Sequence, residues 1–416
     1  MADPTTAARR AVVTGISAVA PNGLGTKEFW AAVLEGRSGL GPVTHFAADG
    51  FPVRTVGEVF ADDTLPGVDP RLAVQTDRWS QFALLATEEA LADAGVRPQE
   101  FSPYDLAVIT ASSSGGNAFG QREIAALWSK GPRHVGPYQS IAWFYAATTG
   151  QLSIRHGMKG PCGVSVAEQA GGLDAIAQAR RALLHGDAAL VLTGGTEAPL
   201  SPYALACQTA SGRLSRSADP ERAYLPFDAA AHGHVPGEGG AILVLEDEEG
   251  ARARGVEAPY GEIAGHGATF DPAPGTPGAS SSGALSRAVR LALADAGVRP
   301  EEVDVVFADA AGTPELDRAE ADSLSEVFGP FGVPVTAPKA RYGRLYAGGA
   351  PLDVVTALLS LQEQVIPPTG PGTVADAGYG VDLVAEPRAA RLRTALVIAR
   401  GHGGFNSALV VRSLTQ

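Results

Sequence analysis

Residues 161–172 of the chain read PCGVSVAEQAGG and are the most informative part of the sequence. Apolar residues run into a tight turn and a glycine pair opens an amphipathic segment, so the sequence predicts a strand, a turn and a helix in succession. A side chain at such a turn faces the unpaired amides of the helix, which lower the pKa of a thiol and stabilise an oxyanion. Enzymes place a nucleophile at this position. Here it holds Gln169, which cannot attack an ester and which we expect to cap the helix.

On both sides of this stretch, apolar segments of strand length alternate with amphipathic segments of helix length. The strands predicted are residues 11–16, 104–111, 162–167, 188–193, 258–265, 303–308, 394–400 and 408–411. The helices predicted are residues 27–34, 77–94, 121–128, 171–184, 283–296, 318–328 and 352–362. The alternation predicts an α/β fold with parallel or mixed sheets. Both halves open on a strand and contain a strand–turn–helix unit, so we predict a pseudo-duplicated chain with an N-terminal half (1–255) and a C-terminal half (256–416).

The composition excludes several classes of protein. The 416 residues are 45% hydrophobic, which is enough for a large core. A net charge of -13 argues against nucleic acid or an anionic membrane as a partner. Only Cys162 and Cys207 are cysteines, so a disulfide framework is excluded and a reducing cytoplasm is expected. No apolar run is long enough to predict a signal peptide or a membrane span.

Several further stretches, in the same order along the chain, share a family pattern with residues 161–172. They are Pro226-Phe227-Asp228, the GHVPGEG of residues 233–239, Ala311-Gly312-Thr313, Lys339 with Gly343-Arg344, Asp353, and the GHGGFN of residues 401–406. Together they resemble the β-ketoacyl synthase family of the thiolase superfamily, over nearly the whole chain. The resemblance implies a thiolase-like, pseudo-duplicated fold in which mixed five-stranded sheets are layered with helices as αβαβα.

The departures from the family pattern are as informative as the matches. A condensing ketosynthase needs a cysteine thiolate for the growing acyl chain and two histidines that stabilise the enolate of a decarboxylated malonyl group. At the matching positions this chain carries Gln169, Ala311 and Arg344, so no catalytic group of the family is intact. This pattern resembles the chain-length factor, or ketosynthase beta subunit, of bacterial type II polyketide synthases.

The resemblance also implies which partners the chain has and whether it needs a cofactor. Members of this branch form an obligate heterodimer with a ketosynthase alpha subunit, and a poly-β-ketone grows in a tunnel at the shared interface. An acyl carrier protein is the second expected partner, and its phosphopantetheine carries the substrates, so no cofactor of the chain's own is expected. We expect no independent enzymatic activity, although the sequence leaves this open.

Two sets of residues follow from the same resemblance. Asn117, Gly120 and Ile124 match the positions that line the tunnel end, and their spacing of three and four puts them on one helix face. None is a bulky aromatic residue, which predicts a deep tunnel and a long product. Glu197, Lys339 and Asp353 remain from the family's site and are expected to form a buried ion pair or polar network. Arg344 is expected to pair with Asp353 or Glu197.

Alternative interpretations remain for three features. Gln169 matches the glutamine of some loading ketosynthases, which implies a malonyl-carrier-protein decarboxylase that makes the starter unit, although that chemistry needs the missing histidines. Cys162 is expected to be a small buried side chain, and neither cysteine is expected to be catalytic. His232 and His234 form a pair that could chelate a metal, but no third ligand is apparent nearby, so no metal site is expected.

Overall fold

The computed structural model describes residues 9–59, 65, 67–271, 282–370 and 372–414. Its strands are β1 (Ala11–Ile16), β2 (Val19–Ala20), β3 (Gly23–Leu24), β4 (Leu40–Pro42), β5 (Thr55–Gly57), β6 (Leu106–Ala111), β7 (Cys162–Ser165), β8 (Leu190–Glu197), β9 (Gly239–Asp247), β10 (Gly261–Phe270), β11 (Val305–Phe307), β12 (Pro334–Thr336), β13 (Val365–Ile366), β14 (Asp382–Leu383), β15 (Arg388–Ala389), β16 (Thr394–Gly401) and β17 (Phe405–Arg412). Its helices are α1 (Thr26–Leu34), α2 (Pro70–Ala73), α3 (Arg78–Asp93), α4 (Asn117–Lys130), α5 (Gln139–Ala142), α6 (Ala147–His156), α7 (Gln169–His185), α8 (Pro202–Thr209), α9 (Glu248–Ala253), α10 (Ser282–Ala296), α11 (Pro314–Phe328) and α12 (Gly349–Glu363).

The main sheet repeats one strand pattern in the two halves of the chain. The first half has the order β7-β6-β8-β9-β1, and the second has the order β12-β11-β16-β17-β10. In each, the first three strands run parallel and the last two pair antiparallel with their neighbours. Strands β1 and β10 join the halves through Val12–Glu262 and Val13–Gly261, and β14 extends the edge beyond β12. The prediction of two mixed five-stranded sheets in a duplicated α/β fold is confirmed.

The helices form three layers around these strands. Helices α7 and α12 pack against each other and against strands of both halves, so they lie between the sheets. Helix α3 covers the other face of the first sheet and α10 that of the second. Neighbouring residues of one strand pack in different layers. Ile109 packs in the central core, and Val108 packs in the core under α3. Both sheet faces are therefore buried, which explains why the strands are continuous apolar runs.

Two sequence predictions need correction. Helix α4 begins at Asn117, four residues before the predicted start, and the amide of Phe119 in its first turn is bonded to the Asp77 carboxylate, which lies 42 residues away in the sequence. Cys162 was expected to be buried, but it is exposed, because β7 is the last strand at its end of the sheet and pairs only with β6 among the described residues. The division of the chain at residue 255 stays a prediction.

Candidate functional site

The strand–turn–helix unit forms as predicted, with one shift of position. The strained turn residue is Glu168, whose φ is 51°, and Gln169 is the first residue of α7. A positive φ is uncommon for a residue with a side chain and occurs where the surrounding structure imposes it. The Glu168 carboxylate accepts a hydrogen bond from the backbone amide of His402 in the C-terminal glycine loop. That contact ties the turn to the loop that was matched separately in the sequence.

The Gln169 side chain does not cap α7 but reaches across the site. It is fully buried, and its Nε2 donates to the carboxylate of Asp309 over 3.0 Å. The expected capping role is wrong, because the amide points away from the helix's own backbone. Its Oε1 is buried without a hydrogen-bond partner among the described residues.

Asp309 is the centre of this site, and the sequence analysis did not select it. Its Oδ1 accepts from Gln169, from the Arg344 guanidinium at 3.0 Å and from the backbone amide of Arg400 at 2.8 Å. Glu320 in turn accepts from the backbone amides of Asp309 and Ala310 over 2.7 and 2.8 Å. We call Gln169, Asp309 and Arg344 the Asp309 cluster.

Neighbours of opposite charge keep both Asp309 and Arg344 charged although both are buried. Burial alone would raise the pKa of Asp309, but the neighbouring cations Arg344, Lys339 and Arg400 outweigh it and hold that pKa below its usual value. Burial works against the charge of Arg344 as well, yet Asp309 and Glu168 keep the pKa of the guanidinium above its usual value. The cluster is therefore an ion pair with an amide on the same oxygen.

The partner of Arg344 differs from both expected partners. Arg344 bonds to Asp309 and to the backbone carbonyl of Arg400, the latter over 2.7 Å, rather than to Asp353 or Glu197. A buried arginine needs an acid, and Asp309 lies two residues after the buried strand β11 and two residues before Ala311. That position was the signal in the sequence that could have identified it.

Ala311 lies in a loop whose shape is set by carboxylates. Asp317 accepts from the backbone amides of Gly312 and Phe227 over 2.8 and 2.9 Å. Ala311 itself is buried and offers only a methyl group. His234 is buried nearby, and burial together with the charge of Arg344 lowers the pKa of its imidazole to about 3, so it is neutral at physiological pH.

The retained polar residues separate into two places. Lys339 and Asp353 form a buried ion pair with Nζ and Oδ2 2.6 Å apart. Glu197 instead accepts a hydrogen bond from the backbone amide of Ser113, in the loop before α4. Burial, with a smaller contribution from Asp77, raises the pKa of Glu197 to about 8. Lys339 also lowers the pKa of Asp309 through its charge, whereas Glu197 holds the loop that leads to α4.

The three residues predicted to line the tunnel end lie on α4, in different surroundings. Asn117 and Gly120 are buried, whereas Ile124 is 43% exposed. A β-carbon added at Gly120 would lie 2.5 Å from Cδ1 and 2.9 Å from Nε1 of Trp143. The glycine therefore makes room for the indole of its own chain, and the side chain that limits space beside Gly120 is Trp143.

Large apolar side chains are exposed around α4 and the β7 edge. We call them the apolar surface: Ile124, Trp128, Ile141, Trp143, Phe144, Tyr145, Ile154 and Val166. Contiguous exposed apolar groups of this kind mark sites of protein interaction, and an unpaired strand edge is a further site for pairing. Within the part of the chain that the structure describes, no helix has the length and apolarity needed to cross a bilayer. Among the same residues, no group of three or more His, Cys, Asp or Glu side chains could hold a metal ion. The His232 ring contacts the Ser215 hydroxyl.

The chain matches one protein family along most of its length. The family model of the beta-ketoacyl synthase N-terminal domain covers residues 8–251, and that of the C-terminal domain covers residues 260–372. The chain is 58% identical over 403 residues to the tetracenomycin polyketide synthase ketoacyl synthase beta subunit of Streptomyces glaucescens. The match includes 96% of this chain and 98% of that protein.

Two solved structures share the fold. One is a type II polyketide synthase acyl-carrier protein in complex with its ketosynthase bound to the hexaketide, with a TM-score of 0.89 and 27% identity over 98% of this chain and 100% of the other. The second is the ishigamide ketosynthase/chain length factor, with a TM-score of 0.89 and 26% identity over the same shares.

Proposed function

Since the chain belongs to the β-ketoacyl synthase family, we propose that it is the chain-length factor of a bacterial type II polyketide synthase. In this role it does not condense acyl units. It pairs with an active ketosynthase in the cytoplasm and shapes the tunnel that sets the length of a poly-β-ketone in aromatic polyketide biosynthesis. The growing chain and the extender units are carried on the phosphopantetheine of an acyl carrier protein.

One observation carries the non-condensing part of this proposal. In the Asp309 cluster, the groups that replace the family's cysteine and one histidine bond to the same carboxylate oxygen. A carboxamide and a paired guanidinium supply neither a nucleophile nor a proton acceptor at neutral pH. The third replaced position, Ala311, has no polar atom in its side chain. The positions that match the family's cysteine and one histidine are thus taken up by a buried ion pair and an amide bonded to it.

The same geometry argues against decarboxylation through Gln169. A glutamine that stabilised the enolate oxygen of a malonyl group would have to aim its amide N–H at that oxygen. Here Nε2 donates to Asp309, and turning it away would remove one of the bonds that compensate a buried carboxylate. No histidine replaces it at residues 311 or 344. We therefore prefer the shape-based role to starter synthesis.

The apolar surface supports the partnership. It surrounds α4 and the exposed β7 edge, so an active ketosynthase of the same fold could bury both together. Obligate interfaces bury on the order of 2,000 Å² or more and are more hydrophobic than transient ones. The beta-subunit name of the relative and the ketosynthase/chain length factor pair among the similar structures support the same assembly. The complex with a carrier protein supports the second partner.

A reconstitution experiment tests the proposal. The chain is combined with its ketosynthase partner and malonyl-loaded carrier protein, and the amount and length of polyketide are measured for the wild type and Gln169→Ala. We expect nearly the same output and length from both, because Gln169 takes no part in the chemistry. The matched variant for length is Gly120→Phe, which should shorten the product because the added ring displaces the Trp143 indole and narrows the tunnel end.

Two results would contradict the proposal in different ways. If Gln169→Ala abolished output and an acetyl starter restored it, the chain would be the starter-making decarboxylase. If Gly120→Phe gave full-length product at the normal rate, α4 would not control length.

A further inference from the structure

One buried carboxylate joins the N-termini of two helices that are distant in sequence. Asp77 precedes α3, and its Oδ1 accepts from the backbone amide of Trp79 over 3.4 Å. Its Oδ2 accepts from the backbone amide of Phe119 in the first turn of α4 over 2.7 Å. Asp77 is 2% exposed, so neither bond competes with bulk water. The carboxylate therefore caps its own helix and, at the same time, a second one.

Helix α4 depends on this outside cap because it has none of its own. Its N-cap residue is Gly116, which has no side chain to accept a hydrogen bond. The first amides of a helix have no partner within the helix, and a cap normally bonds to the second or third of them. Phe119 is the third residue of α4, which is the position an N-cap side chain would reach. A β-carbon at Gly116 would also lie 2.7 Å from Cβ of Asp77, so the glycine allows the carboxylate to approach.

The α3 end of this link is anchored in the core. Arg78 makes two hydrogen bonds of 2.8 and 2.9 Å with the buried carboxylate of Glu238. The Thr196 hydroxyl, on strand β8, donates to the carbonyl of Trp79 over 2.7 Å. Asp77 therefore has a fixed position relative to the sheet, and its bond to Phe119 transfers that position to α4.

We propose that Asp77 is a positioning residue that sets the register of α4 and, through α4, the length of the product. Asn117 and Gly120 lie within two residues of Phe119, so a shift of the first turn of α4 displaces both. This inference rests on the proposed function, because it assigns Asp77 a part in the length control which that function requires. Asp77 acts through the helix and not through contact with the growing chain.

Two substitutions of Asp77 separate positioning from simple capping. Asp77→Asn keeps the size of the side chain but places N–H groups where one of the two amides needs an acceptor. Asp77→Ser keeps a capping oxygen for α3, since serine and aspartate are comparable caps, but its one short side chain cannot also serve Phe119. The matched control is Asp247→Asn. Asp247 caps α9 through the amide of Gly250, and α9 packs on β1 and β9, away from α4.

The reconstituted complex with its ketosynthase and carrier protein supplies the readouts. We expect both Asp77 variants to spread the product over several lengths at a total output within about twofold of the wild type, while Asp247→Asn keeps the wild-type length. Amide hydrogen exchange of Phe119 should be about tenfold faster in the variants, as for loss of a hydrogen bond to a charged group. A wild-type product distribution with either Asp77 variant would overturn the inference.

A measurement on the unmodified complex covers the case in which the variants do not fold. The Phe119 amide should exchange as slowly as the amides in the middle of α4, because it is bonded to a buried carboxylate. Fast exchange there would overturn the inference without any substitution. The proposed function fails in a different way, namely if the wild-type complex itself does not give a defined product length.

Discussion

The Asp309 cluster and the region around helix α4 differ in how far the chain itself buries their side chains. In the cluster, Gln169 and Arg344 both bond to the Asp309 carboxylate, and all three members are buried. Around α4, large apolar side chains remain exposed, and the helix relies on Asp77 for its cap. Under the proposed function, the first site has no reaction left to perform and has become part of the chain's own structure. The same proposal expects a partner to cover the apolar side chains around α4.

The largest effect is expected from removing the Arg344 side chain, and it is measured as a loss in the free energy of unfolding. Arg344→Ala leaves the Asp309 carboxylate buried without its bonded cation, and breaking a buried pair in this way costs about 3–5 kcal/mol in the free energy of unfolding. Denaturant unfolding of the complex measures it. The control is Arg388→Ala, because Arg388 pairs with Asp382 at a partly exposed site and should contribute less than about 1 kcal/mol. Equal losses for the two variants would mean that the cluster is not a structural element.

The second test uses pH at the loop that leads into α4. Burial raises the pKa of Glu197 to about 8, so the folded protein holds a proton that the unfolded chain releases near pH 4.5. The free energy of unfolding should therefore fall as pH rises from about 5 to about 8, with a slope of up to about 1.4 kcal/mol per pH unit from this group. Glu197→Gln should remove that part of the slope.

The control for the pH test is Glu88→Gln. Glu88 is 53% exposed and pairs with Arg155 at the surface. Burial raises the pKa values of Asp317 and Glu320 to about 7, so both titrate in the same pH range. The comparison therefore uses the difference in the free energy of unfolding between the wild type and each variant. If Glu197→Gln and Glu88→Gln gave the same curve, Glu197 would not be protonated in the folded protein.

The sequence predicted those parts of the molecule that depend on local pattern. The strand–turn–helix unit at residue 169 and the duplicated α/β fold follow from apolar runs and glycine turns, and they are confirmed. It did not predict that Asp309 and Asp77 organise the two regions. Each is a single acid that bonds to other elements 35 to 140 residues away, so no periodicity marks it.

The sequence also did not show which side chains are exposed to solvent. Cys162 lies in a strand that reads as buried, and only the order of strands in the sheet places β7 at an edge. In the same way, the glycine at position 120 indicated a need for space, but not that Trp143 uses it. The roles of Asn117, Gly120 and Ile124 in length control stay predictions.

A single methyl group on α4 should give a smaller effect than the first two tests. Gly120→Ala places a β-carbon 2.5 Å from Cδ1 of Trp143, so the indole must move, at a cost of about 1–3 kcal/mol for added volume. Gly150→Ala is the matched control, since no atom lies within 4 Å of its β-carbon and the helix should gain up to about 1 kcal/mol. Product length should change for Gly120→Ala alone. An unchanged length would show that Trp143 yields without altering the tunnel.

The smallest effect concerns the β7 edge, which the proposed function assigns to the interface with the partner. In Cys207→Ser, Cys162 is the only thiol of the chain, and it is exposed on β7. If the partner pairs along β7, alkylation of Cys162 should be about tenfold slower in the complex than in the separated chain, because a covered thiol reacts slowly. The reverse variant, Cys162→Ser, reports on Cys207 and corrects for any reagent effect. Equal rates for Cys162 in both states would place the interface away from β7, and the apolar surface alone would then have to account for the pairing.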